Sequence, residues 1–388
     1  MRLAWFRPSL IEHARPFDDT ASLIAELRSA HEIAVVTAEG AHDFVWTHFR
    51  TPFDLCVFEL DDSTSHDFMW PYLLQYSGVL LLRTLTVHDS RAMALSREGR
   101  LADYAAEFVF NEGRSPLRSG ASAYLGRGRP MLRAPLVASR IAVVPHRGVA
   151  LALQDQYPEA RVAYAPLGVR EVQASVTVQA AQDSPTTFGV LSPDHLDVIH
   201  RALARAHERG ASATLMIDAP VERMLQEADV ILGLQWPSHG EPQTLALAAM
   251  SAGKPLVVLD TQATSDWPAL DPQTWQPRGL VAEVPIVVSI DVRDEEHSLA
   301  VAIHRLAGDA PLRATLGRAA HDWWHAHASV SCAADAWLRI LNEAAALAPP
   351  TRPPDWPVHL TADGTERARA ILEEVGGTVD FLYVRSQA

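Results

Sequence analysis

The chain has 388 residues, 48% hydrophobic and 21% charged; that is length enough for two or three domains, in a composition that excludes intrinsic disorder. A net charge of −14 argues against a general nucleic-acid binder, and with Cys56 and Cys332 as its only cysteines the chain can build neither a disulfide framework nor a Cys-based zinc site. Its apolar runs are short and broken by Arg, Asp or Pro, and the opening MRLAWFRPSL lacks a long apolar core, so the expectation is a cytoplasmic protein with no membrane span and no signal peptide.

In chain order, MRLAWF (1–6) predicts a strand. A helix over 18–30 follows, with Leu23, Ile24 and Leu27 on one face and Asp18 or Asp19 as its cap. EIAVVT (32–37), LCVFEL (55–60) and VLLLRTL (79–85) predict strands, and 65–76 and 90–110 helices. RIAVV (140–144), a helix near 147–157 and RVAYAPLG (161–168) close a first domain over 1–170. Near-continuous apolar strands alternating with helices indicate a parallel sheet covered on both faces. The polar stretch 170–185 reads as a linker. A second alternation has strands TTFGVL, ATLMID, DVILGL, PLVVLD and IVVSID, with helices near 194–209, 220–227, 243–252, 295–307, 310–327 and on to about 347. These place a second domain over 186–345. A proline-rich segment from 349 ends the last helix, and the tail to 388, with a helix over 365–375 and TVDFLYV, is expected to pack back on the body. The fold class is therefore α/β, with two doubly wound, Rossmann-like domains and a cleft between the C-terminal ends of their strands, where ligands bind in such sheets.

Charge is uneven. Residues 1–170 hold 18 Arg and 19 acids, and residues 171–388 the remaining 15 bases and 28 acids. Seven Arg (114, 118, 127, 129, 133, 140 and 147) and no acid lie between Gly113 and Gln154. Such a stretch suggests an anionic contact, with a phosphorylated substrate or the inner face of a membrane; equally, these Arg could pair with acids elsewhere in the fold.

The most informative stretch is QWPSHGEPQTLALAAMSAGKPLVVLD (235–260). Ser238, His239, Gly240 and Glu241 form a tight loop after a strand. Pro242 suits a first helical turn, and Gly253 stops the helix. The loop points a glycine, a carboxylate and the helix N-terminus at Gln243 and Thr244 toward the cleft, an arrangement that suits phosphate or sugar hydroxyls. Read alone, Glu241 is equally a helix cap. In LDDSTSHDF (60–68), Asp61, Asp62 and His66 follow a strand and could orient acceptor hydroxyls, or Asp62 or Ser63 could cap the next helix. His88 lies just past a strand end, where a base or oxyanion donor would sit. HDWWHAH (321–327) puts His321 and His325 on one helix face, but with no third ligand at motif spacing these read as surface histidines beside packing tryptophans. GASAYLGRGRP (120–130) follows no clear strand and reads as a basic acceptor loop.

The stretch WPSHGEPQTLALAAMSAGKPLVV resembles, in order and spacing, the glycine–glutamate loop and "EAMAxGxPVV" helix of the retaining family 4 glycosyltransferases of the GT-B fold. ERMLQEADVILGL (222–234), YPEARVAYAPLGV (157–169), the region 53–82 and HSLAVAIHRLAGDAPLRATLGRAAHDWWHAH (297–327) are similar to its flanking segments, so the resemblance covers about 1–345. It implies transfer of a sugar from a nucleotide-diphosphate donor to a hydroxyl of a glycan or glycolipid, with retention and no metal or other cofactor. The second domain would hold the donor, with Glu241 on its sugar and Ser238, His239, Gly240, Gln243 and Thr244 on its phosphates. Arg83, His88 and the 61–66 loop would complete the reacting centre. Several signature positions differ: the family's "HD" falls at Arg83-Thr84, its Arg and Lys at Val190 and His195, its second glutamate at Ala248, and ARPFDD (14–19) replaces its glycine-rich loop. His195 and Arg83 are the substitute cations if the protein is an enzyme. The alternatives are a non-catalytic relative that binds a carbohydrate or a partner, and another GT-B chemistry such as epimerisation or phosphorolysis.

Overall fold

A computed structural model describes residues 1–9, 19–114, 129–172, 184–192, 195–236, 238, 240–278, 283–361 and 366–377. Among them, two six-stranded sheets form, each parallel throughout. The first holds β1 (Arg2–Phe6), β2 (Glu32–Val36), β3 (Leu55–Leu60), β4 (Val79–Leu82), β5 (Ile141–Val144) and β6 (Val162–Tyr164), in the order β2-β1-β3-β4-β5-β6. The second holds β7 (Thr186–Val190), β8 (Ala213–Met216), β9 (Val230–Gly233), β10 (Leu256–Leu259), β11 (Ala269–Leu270) and β12 (Val287–Ile290), in the order β11-β12-β10-β9-β7-β8. β3, β4, β5, β10 and β12 are buried at every position, as strands covered by helices on both faces must be. In the second sheet the chain runs outward from β7 to β8 and then to β9 on the other side of β7, so a topological switch point opens at the C-terminal ends of β7 and β9.

The sequence reading missed the two-residue β11 and the helices Ala41–Arg50 and Arg133–Ala138. The long helix expected over 90–110 is two, His88–Arg97 and Leu101–Glu112, divided at Gly99, whose φ of +71° no helix accommodates.

The boundary drawn near residue 345 needs correction. The helix Val330–Ala346 leaves the second lobe and covers the first sheet: Trp337 is fully buried, its ring centroid 5.2 Å from that of Trp5, and its Nε1–H donates to the carbonyl of Pro166 at 3.1 Å. Ala333, Ile340 and Leu341 complete one core with Leu3, Leu23 and Val57. The proline-rich segment then runs along the same lobe, where Trp356 meets Phe110 edge-on at 5.2 Å, Asp355 pairs with Arg133 at 2.7 Å and His359 Nε2 lies 2.7 Å from Glu107. The helix Glu366–Glu374 follows, leaving Ile371 and Val375 exposed; TVDFLYV (378–384) lies outside the described residues.

The basic stretch divides in the same way. Arg133 is engaged by Glu159 and Asp355, and Arg140 donates to the carbonyl of Ala344, so these two anchor the returning chain. Arg118, Arg127 and the Gly126–Gly128 pattern lie outside the described residues. No described helix is long and apolar enough to cross a membrane.

Candidate functional site

The loop after β9 turns sharply into the helix Thr244–Ser251. Gly240 carries the turn at φ +76°, and a Cβ there would stand 2.4 Å from Cγ of Leu85, just past β4 in the other lobe. The residue has to be glycine on both counts: the backbone is left-handed, and the first lobe presses directly on it. Glu241 is half-buried and lines two adjoining cavities of the cleft. Ser238 Oγ stands 3.4 Å from its Oε2.

The first cavity, about 890 Å³ with its open mouth included, sits on the switch point. Leu191, Ser192, Gly233 and Gln235 form one side, and Pro242 to Ala246, the start of the helix, another; Asp61, Arg83 and Thr84 of the first lobe face them. The second, about 1820 Å³ on the same measure, is more polar and is bordered by Asp61, Asp62, His88, Asp89, Arg129 and Glu241.

Arg83 was expected to meet a phosphate. Its guanidinium is instead buried and gives hydrogen bonds to both carboxylate oxygens of Asp19 (3.0 and 3.2 Å) and to Thr20 Oγ1 (2.8 Å), with Glu59 3.8 Å away. Burial opposes its charge, but Asp19 and Glu59 outweigh that and raise its pKa further. Glu59 also accepts from Trp5 Nε1–H at 2.8 Å. Thr244 Oγ1 donates to Asp19 Oδ2 at 2.9 Å, which ties the helix start of one lobe to the ion pair of the other.

Asp62 accepts from Ser90 N–H at 2.8 Å and from Thr86 Oγ1 at 3.1 Å. It therefore caps the helix His88–Arg97 from a distance in sequence, and not the turn Thr64–Met69 that follows it, which has no side-chain cap. Asp61 Oδ1 accepts from Ser63 N–H at 2.9 Å and lies 2.7 Å from Nδ1 of His66, which is buried behind it and borders neither cavity. His88 borders the second cavity, but both ring nitrogens are engaged, Nδ1 by Asp89 and Nε2 by the Tyr104 hydroxyl, each at 2.9 Å. His195 is drawn away as well: Nδ1 pairs with Glu295 at 2.8 Å, the residue sits at φ +65°, and it borders neither cavity. Val190 and Ala248 are core residues. His239 lies outside the described residues. On the histidine-rich helix, Trp323 packs on Trp267 and Trp324 is buried, as expected of packing tryptophans.

Three residues of the site escaped the sequence reading. His146, just past β5, points Nε2 at the carbonyl of Glu241, 3.2 Å away across the cleft, and its burial lowers its pKa, so the ring is neutral and donates from Nε2. In the sequence Asp19 reads only as a helix cap, and Glu59 only as part of an apolar strand. A carboxylate inside LCVFEL was the available signal, since a charge in a fully buried strand needs a partner.

No family model matches the chain, and no curated protein matches it in sequence. Solved structures do match in fold. Sucrose-phosphate synthase from Thermosynechococcus elongatus superposes over 88% of this chain and 98% of its own, with a TM-score of 0.56 at 13% identity. The pneumococcal O-GlcNAc transferase GtfA, solved with UDP and GlcNAc, superposes over 80% of this chain and 61% of its own, with a TM-score of 0.50 at 10% identity. Two parallel sheets facing a cleft, with a last helix returned to the first lobe, are the GT-B fold, which the chain shares with these structures.

Proposed function

We propose that the protein is a glycosyltransferase that moves a sugar from a nucleotide-diphosphate donor to a hydroxyl acceptor, with retention. The observation that carries the reading is Glu241, half-buried on a glycine-turned loop, bordering both cavities at the start of a helix and at the switch point of the second sheet. The N–H groups of that helix's first turn, with its dipole, offset the charge of a leaving diphosphate without a metal ion. Glu241 accepts hydrogen bonds from the donor sugar. In the reacting step the acceptor oxygen bonds to the anomeric carbon, the bond from that carbon to the phosphate oxygen breaks, and the acceptor's proton passes to the leaving phosphate. Asp61, on the facing wall, orients the acceptor hydroxyl, and Arg129 is the described cation of the second cavity placed to meet an anionic group. Two fold neighbours, one a sucrose-phosphate synthase and one solved with UDP and GlcNAc, favour sugar transfer over a binding role alone. A cytoplasmic site of action and a glycan or glycolipid acceptor belong to the same reading.

The test is a panel of UDP-, GDP- and ADP-sugars. One of them should raise the unfolding temperature, by a stabilisation of about 2.7 kcal/mol at a hundredfold excess over its Kd. The same donor should be consumed, and Glu241→Gln should slow that consumption on the order of a hundredfold, the usual loss for a pre-organised polar contact. If no sugar nucleotide stabilises or reacts, the chain is a non-catalytic GT-B relative; if free donors interconvert without an acceptor, it is an epimerase.

A further inference from the structure

β2 forms one margin of the first sheet. Its five residues, EIAVV, keep an unbroken parallel register with β1 and contain no proline, lysine or bulge. Glu32 N–H donates to the carbonyl of Met1, and the carbonyl of Val36 accepts from Arg7 N–H. The even-numbered residues therefore bond β1, and Ile33 and Val35 turn their N–H and C=O groups outward. Among the described residues only the exposed Arg28 meets these groups, its Nη2 3.4 Å from the Ile33 carbonyl. The other three sheet margins are blunted. β6 and β11 are three and two residues long, and His207 Nε2 takes the outward Ala213 carbonyl of β8 at 2.9 Å.

The helix Ala41–Arg50 lies over the same margin, its Phe44 edge-on to Phe6 of β1 at 4.9 Å. Trp46 and Phe49 are 61% and 63% exposed and stack on each other at 5.9 Å, beside the exposed Val45. An apolar surface of this kind marks a contact site. The charges of the helix are ordered along its length, with Asp43 in the first turn and His48 and Arg50 in the last. Arg2 is already paired with Glu32 at 2.8 Å, and Glu39 and Asp43 offset Arg28 and Arg50. The margin thus has no basic excess with which to hold an anionic lipid surface.

The geometry points to a second copy of this chain as the partner of this margin. A two-fold axis at Ala34 sets the two β2 strands antiparallel and joins the two first sheets into one. In that register Ile33 of each copy faces Val35 of the other, and each such pair exchanges both its main-chain bonds. Val35, 41% exposed in the single chain, gains an aliphatic cross-strand neighbour. The same axis turns the helix end for end. The acidic first turn of each copy then lies toward the basic last turn of the other, with their dipoles opposed. Five residues of strand and ten of helix on each side are fewer than the roughly 20–30 of a standard interface, so the dimer is a weak one with a micromolar Kd. The inference goes beyond sugar transfer and stands whether or not the cleft performs it.

The experiment is sedimentation equilibrium of the full chain from about 1 to about 200 µM, the span over which small interfaces assemble. The mass should rise from one chain toward two. Val35→Pro removes an N–H that faces away from β1, so it should leave the chain folded and monomeric throughout. Asp43→Arg sets like charges together at both ends of the helix pair and should weaken the dimer on the order of tenfold. Asp43→Arg combined with Arg50→Asp should restore it. Amide exchange of the unmodified chain gives a reading that needs no variant: Ile33 and Val35 should be protected at the high concentration and not at the low one. A monomer at every concentration, a dimer that survives Val35→Pro, or a charge swap that restores nothing overturns the inference. So does a monomer that binds anionic vesicles through Trp46, which would give the margin to a lipid surface.

Discussion

Arg83 shows how a side chain at the right position in sequence can have another task in the fold. It follows β4 directly at the cleft wall, yet its guanidinium is enclosed by Asp19, Thr20 and Glu59 and helps join the two lobes through Asp19 and Thr244. A buried ion pair adds little over a well-packed apolar pair, but removing one partner strands the other. Asp19→Ala should therefore destabilise the protein by about 3–5 kcal/mol, read from the urea midpoint of unfolding. A cost below about 1 kcal/mol, as for an exposed pair, would mean that Arg83 turns into the cleft and is available to a phosphate after all.

At the scale of the element, the loop from β9 to the helix Thr244–Ser251 is clamped from the first lobe by Leu85 at Gly240 and by His146 at the carbonyl of Glu241. Burial holds His146 below the ordinary histidine value of 6.5. Between the folded value and 6.5 the unfolded chain binds a proton that the native chain does not, so stability falls as pH drops through about 6.5 and levels off below the folded value. His146→Asn should remove that component. The stability difference between parent and variant should shrink as pH is lowered from about 7.5 to 5.5, measured as paired unfolding midpoints. A difference that is flat across this range would mean the ring titrates in the fold as it does in the unfolded chain, and one that grows as pH falls would mean the fold holds it protonated.

For the whole molecule, the returning helix Val330–Ala346 makes the two lobes interdependent. It buries Trp337 between Trp5 and the Pro166 carbonyl, 171 residues from that partner. Residues 1–170 alone should expose that face of the sheet and fail to give a cooperative unfolding transition, whereas the same chain with 330–346 attached through a flexible linker should regain one, followed by circular dichroism against denaturant. In the full chain Trp337→Ala should cost about 3–5 kcal/mol, the range for large core truncations. A cooperatively folding 1–170 would show that the helix is an ornament of the first lobe and not part of its core.

Most strands were legible because their signal is local: four to six consecutive apolar residues between polar turns read the same in any environment. The turn and helix start around Glu241 were legible for the same reason, since Gly240, Pro242 and Gly253 each impose a backbone state within a few residues. β11, two residues long, has no such pattern, and the helix Ala41–Arg50 has its apolar face largely in solvent, with Trp46 and Phe49 exposed. What a charged or polar group does was not legible. Arg83 with Asp19, Asp62 with Ser90, His146 with Glu241 and His195 with Glu295 are separated by 64, 28, 95 and 100 residues, and a side chain's partner is chosen by whichever donors and acceptors the packed sheets bring within hydrogen-bond reach. Local chemistry thus settled two α/β lobes and a glycine-turned carboxylate at a helix start. Only the packing of one lobe on the other decided which cations are spent on the protein itself, because burial and pairing are properties of neighbours in space.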